Sequence, residues 1–274
     1  MVYKKKEEKD IGSNKMSSRT EYALPFTIET LIVVSEKLPL FGLAFCVIWS
    51  IIFDFEEATK THCEVENFAP SISSSLSFLT QKYVWQVVIA LLVVPRIIFL
   101  LSYKRFYEFR ISTITQNSDF QSHFSWLVKV TLTFNVLELI SLLGLTIVTS
   151  EENFDVHKVC FVTFALSSLL YFILTCSLWK YCGIYQEING EKKSFDEKKF
   201  WLKLYFVLGI PMSILYYWHN EYCQDYVYSF FCICEYVIVY AIIKFHGTAK
   251  YDLADISIVL PSKKIGEFSL LHTS

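Results

Sequence analysis

The chain has 274 residues, of which 53% are hydrophobic and 17% aromatic, and its formal charge at neutral pH is -2. That is more apolar side chain than one soluble core of this length needs, so the composition places it in the membrane class. A near-neutral charge without a basic, aromatic-interleaved groove excludes a nucleic-acid partner. With only eight glycines and six prolines, fibrous and disordered alternatives are excluded as well.

In chain order, a polar, lysine-rich start (KKKEEKD) and a short LIVV stretch precede the first long apolar run. Residues 1–37 therefore read as a polar extension. Phe41 to Phe53 runs on into FDFEE and not into a small-residue cleavage site, so the first segment is expected to stay as a signal anchor. A bilayer core needs roughly 17 to 25 apolar residues per helix. Six runs meet this, near Leu38–Phe55, Tyr83–Tyr103, Phe124–Val148, Lys158–Cys182, Phe200–Trp218 and Tyr226–Phe245. The expected fold is all-α: a polytopic six-helix transmembrane bundle over 38–252 with short loops, followed by a tail at 253–274.

Twenty of the 25 lysines and arginines fall in the N-terminal region, the KRFYEFR loop, the loop around GEKKSFDEKKFW and the C-terminal region. Positive residues are retained on the cytosolic side, which predicts both termini cytosolic and the loops 54–82, 149–157 and 219–225 lumenal. The longest of these contains THCEVENFAPSISSSLS, Thr61 to Ser77. Cys63 and Cys223 alone among the eight cysteines fall in predicted lumenal loops, where disulfides persist. They are expected to form a disulfide joining the first and last lumenal loops; the alternative is two free thiols.

Arg96, Glu138 and Glu235 sit near the middle of their segments, where an ionisable group costs at least ~2.5 to 3.5 kcal/mol and so faces the bundle interior. The expectation is one cluster, with Arg96 paired to one glutamate and the other protonated or bonded to Asn135 or a tyrosine hydroxyl. Such a network fixes helix packing, or it supplies a carboxylic acid for proton transfer. His62, His157 and His219 gather at the predicted lumenal face. Together with Asp155 or Asp225 they have zinc-ligand chemistry, but their scattering over three loops disfavours a metal site, and none is assigned. The serine run raises a nucleophile activated by His157 or His219. With no GxSxG elbow, the favoured reading is a short interfacial helix with Pro70 at its first position, its free N–H groups directed at a lipid head group. His246 and Lys250 are expected at the opposite interface.

Resemblance adds a substrate. LPLFGLAFCVIWSIIFDFEEATKTHCEVENFAPSISSSL, from Leu38, is similar to the first helix and lumenal loop of the post-GPI-attachment-to-proteins factor two family, itself related to the damage-regulated autophagy modulators. The likeness continues through YVWQ, Pro95 and Arg96, residues 149–161, LTCSLW at Leu174–Trp179, YYWHNEYCQDYVYSFFCICEYVIV, and FHGTAKYD at Phe245–Asp252. It departs from the family at Ala69, Gly247 and Lys250. It implies a multi-pass protein of the Golgi membrane, with the endoplasmic reticulum as a second location. Its role there is fatty-acid remodelling of glycosylphosphatidylinositol (GPI) anchors, where a saturated chain reacylates the lyso form. Membrane lipids, GPI-anchored proteins and other remodelling subunits are then the partners. No cofactor is expected beyond an acyl donor, a lipid or acyl-CoA. If the chain is an enzyme it is an acyltransferase, with His157 or His219 as general base and Arg96, Glu138 and Glu235 orienting groups. Asn67, Ser71, Ser73 and Asn220 would contact the head group. The alternative is a non-catalytic scaffold or lipid-presenting adaptor, including an autophagy-modulator-like role. A transporter ranks below both, since no pair of broken helices repeats in two halves.

Overall fold

Six helices in the computed structural model, which describes residues 22–23, 28–114, 118–181, 189–253 and 259–260, are long and apolar enough to cross a membrane. They are α1 (Ile28–Phe53), α4 (Leu79–Ile114), α5 (Ser118–Ile147), α6 (Phe154–Tyr181), α7 (Asn189–Tyr222) and α8 (Val227–Gly247). Between α1 and α4 lie the short α2 (Phe55–Thr59) and α3 (Ile72–Ser75), and α9 (Ala249–Asp252) follows α8. The chain is a multi-pass, all-α membrane protein.

Each long helix packs on its neighbours in sequence, and α8 closes on α1, so the six form a ring in chain order. Short connections make consecutive helices antiparallel. The loops 54–78, 148–153 and 223–226 therefore share one end, called here the disulfide face. Outward side chains such as Phe41, Ile52, Leu91, Val94, Ile140, Val159 and Ile210 are exposed, which is the apolar belt that lipid requires. Inside, Leu43, Trp85, Ile89 and Leu92 pack between α1 and α4, while Phe172, Tyr205, Cys232, Ile242 and Phe245 pack among α6, α7 and α8. Close approach has a local cause at Gly144, where an added Cβ would lie 2.6 Å from Cys160 Sγ on α6.

The helices outrun their apolar segments. α1 begins ten residues before Leu38, burying Ile32 and Glu36, and α7 begins eleven before Phe200. Lysine and glutamate are good helix formers, so a helix continues past the point where hydropathy falls. A second unit, drawn from the two ends of the chain, contains an antiparallel pairing of β1 (Tyr22–Ala23) with β2 (Val259–Leu260).

Candidate active site at the disulfide face

The segment between α1 and α4 folds back over the bundle end because its polar groups find partners there. Ser71 caps α3, its hydroxyl accepting from Ser74 N at 3.0 Å, and Ile72 N donates to Glu235 Oε2 at 2.9 Å. Pro70 stands one residue before this cap, not at the first helical position, and its carbonyl accepts from the Tyr236 hydroxyl. Phe68 N and Ala69 N both reach Ser229 Oγ, which donates to Asn67 Oδ1 at 3.2 Å. On the other side Gln81 bridges Ser50 and Asp54 of the α1 end at 3.2 and 2.8 Å. Cys63 and Cys223 are bonded, with Cα atoms 5.2 Å apart, so the first and last loops of this face are one covalent unit. Beside them the Tyr226 hydroxyl donates to Glu66 Oε2 at 2.5 Å, and that bond pushes the phenol pKa up.

The third loop is self-capped. Thr149 and Glu152 exchange bonds in a capping box, Thr149 N to Glu152 Oε2 at 3.0 Å and Glu152 N to Thr149 Oγ1 at 3.3 Å, and Asn153 Oδ1 caps Val156 N. Lys82 donates to Glu152 at 2.6 Å. With the Thr149 N–H, this holds the Glu152 carboxyl down at about 2. The loop thus fixes the Val148 carbonyl above α6.

That carbonyl defines the histidine beneath it. His157 Nδ1 lies 2.7 Å from Val148 O, which only accepts, so Nδ1 carries the proton. In the neutral ring Nε2 is then a lone pair, and it accepts the Ser73 hydroxyl at 2.9 Å. Serine oxygen, imidazole and an orienting carbonyl stand in the order needed to raise the nucleophilicity of a hydroxyl.

Ser73 and His157 open into a cavity of about 120 Å³ enclosed by α1, α3, α4, α5, α6 and α8. Its lining on α8 runs from Glu235 to His246, about 16 Å of helix axis at 1.5 Å per residue. Leu76, Leu92, Leu142, Val239 and Ile242 make the walls between, so the cavity is narrow and apolar along most of its length.

At its far end lies a charged group. Arg96 Nη2 donates to Glu138 Oε1 at 2.7 Å, and His246 Nε2 reaches the same oxygen at 2.8 Å while its ring stacks on Tyr171. Glu36 pairs with Lys244 nearby. One expectation is corrected here. Glu235 does not join Arg96 and Glu138, because it lies three turns of α8 closer to the disulfide face; its partner is Ile72 N, not Asn135 or a tyrosine. His246 lies in the last turn of α8, half-buried against Glu138.

The remaining candidates disperse. His219 is buried, its ring 5.5 Å from that of His62 and 4.8 Å from that of Tyr228, and neither of its nitrogens has a hydrogen-bond partner. It does not line the cavity. Asn220 is exposed and donates to Tyr216 O; Asn67 donates to Thr59 O and Val65 O; Ser71 serves the α3 cap. His62 Nε2 lies 3.4 Å from Cys63 Sγ, but the two sulfurs are bonded to each other, and both nitrogens of His157 are engaged elsewhere. The described residues thus gather no three-histidine metal set. Sequence reasoning missed a second buried network, in which Lys198, Ser194 and Tyr103 converge on Asp252 at 2.5 to 2.6 Å under the Trp179 ring.

Residues 28–256 match the family described as the Frag1/DRAM/Sfk1/Cwh43P N-terminal domain. The chain belongs to this family. It is 34% identical over 88% of its length to a Xenopus tropicalis protein named Acyltransferase PGAP2, covering 92% of that relative. It is also 34% identical to Post-GPI attachment to proteins factor 2 of Caenorhabditis briggsae, over 82% of this chain and 85% of the relative, and 32% identical to the Caenorhabditis elegans protein of the same name, over 92% and 94%. No solved structure matches the chain.

Proposed function

We propose that this protein acts in the lipid remodelling of GPI anchors during maturation of GPI-anchored proteins, at the reacylation of lyso-GPI with a saturated chain. The relatives' names supply the substrate class, and one observation supports the chemistry: His157, its tautomer fixed by Val148 O, presents Nε2 to the Ser73 hydroxyl, and both residues line one end of a narrow apolar cavity. A reacylating site needs a base for a hydroxyl beside a channel for an acyl chain. In this reading the disulfide face is lumenal, where anchors hang, both termini are cytosolic, and the membrane is that of the Golgi. His157 is the general base; His219 is not, since it does not reach the cavity. Arg96, Glu138 and Glu235 shape the cavity and hold its walls.

Anchor lipids from cells lacking the protein, complemented with wild type or His157→Ala, test this. Wild type is expected to restore saturated chains and His157→Ala to leave lyso or unsaturated anchors. The internal satisfaction of Asn67 and Ser71 favours the second reading, a lipid-presenting adaptor. A His157→Ala protein that reaches the Golgi and restores saturated chains in full would select it.

A further inference from the structure

If the chain reacylates lyso-anchors as proposed above, the hydroxyl that His157 contacts is not a passive ligand. Ser73 Oγ lies 2.9 Å from His157 Nε2, on α3, whose position is set by Glu235 at Ile72 N and by the Ser71 cap. Ser73 lines the cavity beside Ile72 and Leu76, so an acyl carbonyl placed at this end of it would meet the serine oxygen with its chain directed along the apolar wall. A head-group contact needs no lone pair aimed at the serine proton and no carbonyl fixing the ring behind it. A nucleophile needs both.

We infer that Ser73 is a covalent catalytic residue that carries the acyl group between donor and lyso-anchor. The donor's chemistry is an activated long-chain acyl carbonyl, a phospholipid ester or an acyl-CoA thioester. Ser73 Oγ attacks this carbonyl while its proton passes to His157 Nε2. The tetrahedral adduct collapses with cleavage of the donor's C–O or C–S bond, and the leaving alkoxide or thiolate takes the proton back from His157. The product is an acyl ester on Ser73. The lyso-anchor hydroxyl then gives its proton to His157, attacks the ester carbonyl and expels Ser73, which is reprotonated. Atoms balance with no oxidant or metal, and the kinetics are ping-pong.

The test uses the full-length protein in detergent or vesicles without lyso-anchor, incubated with alkyne-tagged stearoyl-CoA in one arm and alkyne-tagged stearoyl-phosphatidylcholine in the other, then acid-quenched. Wild type is expected to carry label on the peptide containing Ser73, and the arm that labels identifies the donor. Ser73→Ala should lose the label, and His157→Ala should slow labelling by roughly a hundredfold or more, the scale of a general base. Ser73→Cys should be labelled through a thioester that neutral hydroxylamine cleaves, and adding His157→Ala to it should slow that labelling, which spontaneous thiol–thioester exchange would not show. Label at another residue, or none in wild type and Ser73→Cys in both arms, overturns the inference. In cells, wild-type anchors in the absence of the protein would remove the remodelling reading and this inference together. Restored saturated chains with Ser73→Ala would remove the inference alone.

Discussion

Glu138 is a residue whose removal the fold should tolerate poorly. Its Oε1 takes both Arg96 and His246, and with Glu138 1% and Arg96 9% exposed the pair lies inside the bundle. At 2.7 Å and an effective dielectric of 20, the direct attraction is about 6 kcal/mol, which largely offsets the several kcal/mol that desolvating each ion costs. Glu138→Ala deletes the attraction but leaves the Arg96 guanidinium dehydrated and uncompensated, the situation that costs about 3–5 kcal/mol in buried pairs. On the scale of a domain near this size, that lowers the melting temperature by roughly 10 °C. Arg96→Met combined with Glu138→Leu removes both charges and should recover at least half of the loss, because apolar residues of similar volume replace the pair at little net cost. The assay is thermal unfolding of purified protein in one detergent, with wild type, Glu138→Ala, the single variants Arg96→Met and Glu138→Leu, and their double variant side by side. Equal melting temperatures for Glu138→Ala and wild type, or a double variant worse than either single one, would refute the reasoning. If the double variant folds and still restores saturated anchors, the charges serve packing; if it folds and does not, they serve the reaction.

The other predictions concern the disulfide face. Glu235→Gln keeps an oxygen for Ile72 N and should retain acyl transfer, whereas Glu235→Leu orphans that N–H, costs about 1–3 kcal/mol and displaces Ser73; identical loss in both, measured by stearoyl labelling, would show that the carboxyl group itself is required. The Glu152 carboxyl, held at about 2 by Lys82 and Thr149, has its folded pKa below the unfolded value of about 4.3. Its contribution is therefore complete above about pH 4.3 and is lost as the pH falls through about 2. Hydrogen exchange of residues 148–153, corrected for intrinsic rates, should stay slow from pH 7 to 4.5 and speed up only below; Glu152→Gln should exchange fast at pH 7, and slow exchange there would count against the clip. Replacing Cys63 and Cys223 together by serine releases a link spanning 160 residues, worth at most about 5 kcal/mol of chain entropy, and the oxidised wild type should melt well above this variant. Coincident melts would mean that the hydrogen bonds to Ser229 and Glu235 suffice.

The six spans were legible because a bilayer demands a long apolar run for each. Helix ends were not, since the lysine and glutamate turns of α4 and α7 are as helical as the apolar ones they extend. The misplacement of Glu235 has the same root. Hydropathy marks a residue as inside a segment but not its depth, and depth depends on where α8 begins; with α8 starting at Val227, Glu235 sits above Val239 and His246 below it. Cys63 and Cys223 could be paired because topology left no other two on that face. Ser73 and His157 were both legible as reactive types, but choosing Ser73 from five serines needed the register of α3, which rests on Glu235 and Tyr236 from the far end of the chain. The glycine after His246 has a packing reason visible only in the structure: a Cβ at Gly247 would fall 2.8 Å from Glu36 Oε2, so this end of α8 lies close against α1.

The two polar ends of the cavity differ in what they are able to do. At the far end, Glu138 Oε1 is engaged by a guanidinium and an imidazole at once, so taking up a proton there means giving up the partners that make the buried charge tolerable. A group so committed is a poor base, however acidic or basic its side chain is in water. At the disulfide face, His157 has one neutral acceptor behind it and one neutral hydroxyl in front, and neither contact opposes a transient positive charge on the ring. Val148 O strengthens its bond to Nδ1–H as that charge forms, and Ser73 is the proton's source. In the proposed reaction, proton transfer is assigned to the end where the partners are uncharged, and the ion-paired residues line the other end of the apolar cavity. The residues to vary for chemistry are accordingly Ser73 and His157, and those to vary for channel shape are Arg96, Glu138 and His246.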